Sequence, residues 1–136
     1  MPEFGKRSRR NFAGVHPDIR RVFDIVVVFF DCACTSGVRT TEEQQKLFAQ
    51  GRTEPGAIVT NCDGVEKLSN HQVPPGEYFG MAVDVDPYPI DYNDRARYFA
   101  FAIVVKAVAL ALDVPLEWGG DWERFPDLPH WQLVRR

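Results

Sequence analysis

The chain has three histidines, His16, His71 and His130, and two of them stand in company suited to chemistry. His71 lies in Leu68-Ser69-Asn70-His71-Gln72, at the end of a segment rich in Gly, Pro, Asn and Asp. His130 lies in Asp127-Leu128-Pro129-His130-Trp131. Between them, Met81-Ala82-Val83-Asp84-Val85-Asp86 alternates as a strand does. Imidazole and carboxylate both suit Zn2+. A His, an Asp and a His from separate elements make a three-ligand zinc site whose fourth position is left for water, as catalytic zinc requires. The carboxylate is Asp84 or Asp86, because positions i and i+2 share one face of a strand. A structural zinc would close all four positions, and no cysteine stands near these residues. Cys32, Cys34 and Cys62 have no CxxC spacing and are odd in number, so a disulfide framework is a poor fit. A carboxylate beside the metal suits general acid–base work, and Asp127 and Glu117 are candidates. His16, directly before Pro17, reads as the start of a helix and not as a ligand.

These residues need elements to hold them. Residues 1–14 are polar and basic and read as a surface arm. Pro17 opens a helix over about 17–29, with Ile19, Val22, Phe23, Val26, Val27 and Phe30 forming an apolar stripe. Residues 32–38 read as a strand leading to a turn at Ser36-Gly37. Thr40 caps a second helix, with Glu43 completing a capping box and Gly51 at its end. Residues 52–80 form one long loop, and a loop of that length in a small domain usually serves function. After the strand at 81–86, Asp91 or Asn93 caps a third helix running to about Leu112, and Pro115 forbids its continuation. Leu116–Trp118 and His130–Leu133 are short strands. The expected fold is α+β, a small, mainly antiparallel sheet packed with about three helices and a zinc site in the cleft.

Taken as a set, the motifs resemble a known family. Ser69-x-His71, Gly80-x-Ala82-x-Asp84 and Asp127-x-x-His130 look like the zinc peptidases of the D-Ala-D-Ala carboxypeptidase type. That group includes the VanY-type enzymes and the L-alanyl-D-glutamate peptidase endolysins of phages. Thr35-Ser36-Gly37-Val38-Arg39-Thr40-Thr41-Glu42-Glu43-Gln44 resembles the same group's strand-turn-helix entry, Asn61-Cys62-Asp63-Gly64 ahead of Lys67-Leu68-Ser69-Asn70-His71 resembles it too, and the likeness covers about residues 8–134 with the motifs in the family's order. It is closer to the phage endolysins. The resemblance implies a Hedgehog/DD-peptidase-like fold and one zinc per chain held by His71, Asp84 and His130. It implies Asp127 as general base and Arg39 facing the substrate, where its guanidinium fork suits a carboxylate or a developing oxyanion. Ser69, Tyr78 and Trp118 are further candidate substrate contacts. The chain departs from the family's compact SxHxxGxAxD spacing, because Val73–Phe79 intervenes between Gln72 and Gly80. Asp84 is preferred over Asp86 because Gly80 and Ala82 precede it in register. The insertion falls beside the expected metal, where it can shape access.

The implied activity is cleavage of the peptide stem of bacterial peptidoglycan, at L-Ala–D-Glu, by a phage endolysin. The alternatives are a DD- or LD-carboxypeptidase, in which Arg39 would hold the free carboxylate, and a zinc-bearing wall-binding module without activity. With 136 residues, the whole of 1–136 is expected to be one catalytic domain with no separate wall-binding domain. The net charge of −3 disfavours a nucleic-acid partner. The apolar stretch Tyr98–Leu112 falls short of the ~20 residues that span a bilayer, so no membrane insertion is expected. Ile25–Phe30 is shorter than the roughly seven residues of a signal-peptide h-region. The expectation is a monomer in the host cytoplasm that reaches the wall through a membrane pore.

Overall fold

The computed structural model describes residues 2–134. Helices α1 (Lys6–Phe12) and α2 (Pro17–Phe29) precede strand β1 (Cys32–Ser36) and helix α3 (Thr41–Ala49). Strand β2 (Ala82–Pro87), helix α4 (Arg95–Ala111), strand β3 (Leu116–Trp118), a 3-10 turn at Gly119–Asp121 and strand β4 (His130–Leu133) follow. The strands form one antiparallel sheet in the order β1-β2-β4-β3. The α+β architecture is the expected one, with four α-helices among the described residues instead of about three.

The extra helix corrects the surface arm expected for residues 1–14. Lys6, Arg7, Arg9 and Arg10 do face solvent, but Phe4 and Phe12 are buried, with their rings 4.8 Å apart. β1 is an edge strand, and α1 takes up the outward-facing backbone groups of Cys34. Ser8 Oγ accepts the Cys34 N–H at 3.1 Å, and Asn11 Nδ2 donates to the Cys34 carbonyl at 2.8 Å. An edge covered in this way cannot pair with another chain.

Ile19, Val22, Phe23, Val26 and Val27 of the expected stripe are buried, Phe30 just past the helix end is partly buried, and α2 packs against α4. His16 Nδ1 accepts the Asp18 N–H at 3.1 Å as its cap, and Pro17 fills a first-turn position that has no use for an N–H. The Thr40–Glu43 capping box of α3 is present. α4 is capped by Asp94 and not by Asp91 or Asn93, because the Asp91 carboxylate is taken by the Asn93 N–H in the preceding turn.

The sheet separates core from site by strand alternation. On β4, Trp131 is fully buried, stacks on Trp118 with centroids 5.8 Å apart and meets Phe23 edge-on. Its neighbours His130 and Gln132 therefore face the other way. On β2, Val83 and Val85 belong to the core, and Asp84 sits opposite His130 in register. The large residue beside each site residue fixes the depth of its strand.

Candidate metal centre

Three elements bring His71, Asp84 and His130 together. β2 and β4 supply Asp84 and His130 as directly paired residues, and the end of the long loop supplies His71. His71 Nε2 lies 3.2 Å from His130 Nδ1, and Asp84 Oδ1 lies 3.5 Å and 3.4 Å from them. Among the described residues this is the one such group in which three side chains could hold a metal ion.

The donor set fits a cation. His71 Nδ1 is 2.9 Å from the Gly37 carbonyl, which can only accept, so Nδ1 carries the proton and Nε2 offers a lone pair. His130 Nε2 is 2.8 Å from Gln132 Oε1, so its Nδ1 is likewise bare. Asp84 Oδ1 is buried and has no hydrogen-bond partner. Two lone pairs and a carboxylate oxygen facing one point have nothing to donate to each other, and a metal ion satisfies all three. Protons on the two imidazoles are the alternative to a cation: burial pushes the Asp84 carboxyl up, but hydrogen bonds and charge from protonated His130 and His71 outweigh it and hold the group far below the ordinary carboxylate range. For His130, burial lowers the value, while Asp84 and Gln132 more than offset this and raise it.

Asp86, the rival ligand, is fully buried and away from the histidines; its oxygens accept from the Thr35 and Tyr98 hydroxyls. His16 caps α2, as its position before Pro17 implied.

Arg39 lies beside the trio. Its Nη2 is 3.7 Å from Asp84 Oδ2 and 3.5 Å from Ser36 Oγ, and its Nη1 donates to Gln44 Oε1 at 3.3 Å. Gln44 and Gln72 are buried amides that the sequence reading passed over. Gln44 Nε2 donates to Thr60 Oγ1 and to the Cys62 carbonyl, and Gln72 Nε2 donates to the Gly64 carbonyl. The long loop has no helix or strand of its own between α3 and β2, and these amides fasten it.

Asp127 is half-buried near the trio. Burial and then the Asp84 carboxylate raise its pKa, against the pull of His130, His71 and Arg39. Glu117 is not free for a similar role: its two oxygens accept from Trp122 Nε1 at 3.0 Å and Gln132 Nε2 at 3.1 Å. Ser69 Oγ accepts the His71 N–H at 3.2 Å and so shapes the loop that carries the ligand. Tyr78 is exposed, and its neighbour Phe79 packs edge-on against His16. Trp118 was expected at the substrate and is instead buried, because β3 pairs it with Trp131 and the two indoles stack in the core.

Two cavities are lined by residues adjacent to the trio. One, of about 470 Å³, is lined by Ser36, Gly37, Arg39, Glu43 and Lys46 among others. The other, of about 360 Å³, is lined by Ser69, Asn70, Met81, Glu117 and Gln132 among others.

Gly37 joins these parts. A Cβ there would stand 1.7 Å from the Asn11 carbonyl oxygen of α1, while its own carbonyl orients His71. Gly37→Ala is therefore expected to destabilise the fold by about 1–3 kcal/mol, the usual cost of overpacking. Chemical denaturation of the metal-free protein measures this. An unchanged midpoint would show that α1 does not press on this turn.

Comparison with known proteins bears on the family and the fold. Residues 2–132 match the model of a family described as phage L-alanyl-D-glutamate peptidase. The chain is 31% identical over 116 residues to the peptidoglycan L-alanyl-D-glutamate endopeptidase CwlK of Bacillus subtilis (strain 168), covering 76% of this chain. It spans only 61% of that relative's length. It is 25% identical over 130 residues to the L-alanyl-D-glutamate peptidase of Escherichia phage T5, covering 92% of this chain and 85% of the phage protein. The crystal structure of the Serratia marcescens L-Ala D-Glu endopeptidase ChiX superposes with a TM-score of 0.69 at 26% identity, covering 97% of this chain and 90% of that one.

Proposed function

Because the chain belongs to the phage L-alanyl-D-glutamate peptidase family, we propose that it is a zinc-dependent endopeptidase that cuts the L-Ala–D-Glu bond of the peptidoglycan stem. The observation that carries this reading is the convergence of two bare imidazole nitrogens on a buried, unpartnered carboxylate oxygen. His71, Asp84 and His130 would hold the ion. Zinc in such a site supplies a Lewis acid for the scissile carbonyl and brings the pKa of water toward ~7.

The chain's own groups do the rest. Asp127 takes a proton from the attacking water and returns it to the leaving amine. Burial raises its pKa above the ordinary carboxylate value, which makes it the stronger base for accepting that proton. Arg39 holds Asp84 from its second oxygen and lines the first cavity, where it can meet substrate oxygens. Cavities lined by neighbours of the trio, Ser36, Gly37 and Arg39 in one and Ser69 and Gln132 in the other, offer room for a peptide. Ser69, which lines the second cavity, and the exposed Tyr78 on the insertion are proposed substrate contacts.

The proposal further takes residues 1–136 as one catalytic domain acting as a phage endolysin on the host wall. Among the described residues no helix is long and apolar enough to cross a membrane. The test is chelator stripping followed by metal replacement on purified peptidoglycan. Release of stem fragments should stop on stripping and return with zinc. Undiminished release by metal-free protein would overturn the zinc mechanism.

Arg39→Lys keeps the charge but loses the planar two-donor fork. Cleavage is expected to fall ten- to a hundredfold, in keeping with roughly 1.5–3 kcal/mol for a charge-assisted hydrogen bond. Zinc content should stay at one per chain. Wild-type kinetics in this variant would reduce Arg39 to a structural partner of Asp84 and Gln44.

A further inference from the structure

The two histidines of the trio face it with different nitrogens, Nε2 for His71 and Nδ1 for His130. They therefore need opposite tautomers. For His71 the choice is made by the Gly37 carbonyl, which can only accept. For His130 the partner is the side-chain amide of Gln132, and an amide can present either end. With its oxygen toward His130, the ring proton sits on Nε2 and Nδ1 is bare. With its NH2 toward His130, the proton moves to Nδ1, where it blocks the metal.

What selects the end lies on the far side of Gln132. Its Nε2 is 3.1 Å from Glu117 Oε2, a carboxylate oxygen with nothing to donate. The other Glu117 oxygen is engaged by Trp122 Nε1 at 3.0 Å, which fixes the carboxylate in place. Asn70 Nδ2 adds a second donor to the same Gln132 Oε1, at 2.8 Å. A flipped amide would set NH2 against the Asn70 donor and oxygen against the carboxylate.

We infer that Gln132, locked by Glu117, is the positioning residue that fixes the tautomer of His130 and so aims its Nδ1 at the metal. The inference rests on the reading of the trio as a metal centre. It does not require Gln132 or Glu117 to touch substrate. Partners one bond removed from a metal ligand are typically worth about 10–100-fold in metal affinity.

Two measurements test it. Nitrogen-15 spectra of histidine-labelled, zinc-loaded wild-type protein should show His71 bound through Nε2 and His130 through Nδ1, each with its proton on the other nitrogen. Zinc competition with a chromophoric chelator then compares variants, alongside melting of each metal-free chain. Gln132→Met removes the acceptor and should weaken zinc binding about 10–100-fold. The exchange Glu117→Gln with Gln132→Glu restores an acceptor toward His130 and a donor behind it, and should bind zinc within about threefold of wild type. Binding of His130 through Nε2, unchanged affinity in Gln132→Met, or equal loss in the exchange variant would overturn the inference. If Gln132→Met does not fold, the wild-type spectrum and the exchange variant still decide. A wild-type chain that binds no zinc would instead overturn the metal centre itself.

Discussion

Alanine at His71 or at His130 is expected to remove the metal and with it the cleavage of peptidoglycan. Each imidazole contributes one of the two bare nitrogens at the centre, and neither has a substitute within reach among the described residues. The metal's Lewis-acid contribution is worth several kcal/mol, and each 1.36 kcal/mol is a factor of ten, so the rate should fall by at least a thousandfold. Metal analysis of the purified variants should show far less than one zinc per chain. Asp84→Ala should behave alike, because its Oδ1 is the third converging atom. Asp86→Ala should keep the metal and lose stability, since it strips the Tyr98 and Thr35 hydroxyls of their acceptor. Full zinc stoichiometry and affinity in either histidine variant would remove that residue from the site.

Asp127→Asn separates proton transfer from metal binding. Asp127 is near enough to His130, His71 and Arg39 to feel their charge, but it is not one of the three converging ligands. The variant should therefore hold zinc as wild type does and lose about 10²–10⁴-fold in rate, the usual contribution of a general acid–base group. The pH profile carries a sign. A base must be ionised to work, so activity rises with pH through the pKa of Asp127. Burial raises that pKa, and the ascending limb that it sets should change or vanish in Asp127→Asn. Loss of zinc would make Asp127 a ligand. Wild-type activity would pass the base role to another group.

Much of the frame was legible because it is set by local chemistry. Pro17, the Thr40–Glu43 box and Pro115 mark helix ends whatever the tertiary structure, and short alternating runs gave β3 and β4 at Leu116–Trp118 and His130–Leu133. Strand register was legible only through the family resemblance, whose Gly80-x-Ala82-x-Asp84 motif favoured Asp84. Strand parity leaves Asp84 and Asp86 equivalent, and it is the pairing of Asp84 with His130 that brings one carboxylate, not the other, to the histidines. Register likewise stacks Trp118 on Trp131 and removes it from the cleft. α1 was hidden for a different reason. Its four basic residues set the composition, while its structural work is done by Ser8 and Asn11 on the backbone of a strand more than twenty residues away. Gln44, Gln72 and Gln132 share that property. An amide is common on surfaces, and only the groups that meet it in space show that it is buried or aimed.

The central claim is the bond that is cut, and mass spectrometry of purified peptidoglycan after digestion reads it directly. Zinc-loaded protein is expected to generate new amino-terminal D-Glu, with stem peptides released from the glycan-linked L-Ala. Loss of terminal D-Ala from otherwise intact stems, without any new D-Glu terminus, would contradict the account and make the enzyme a carboxypeptidase.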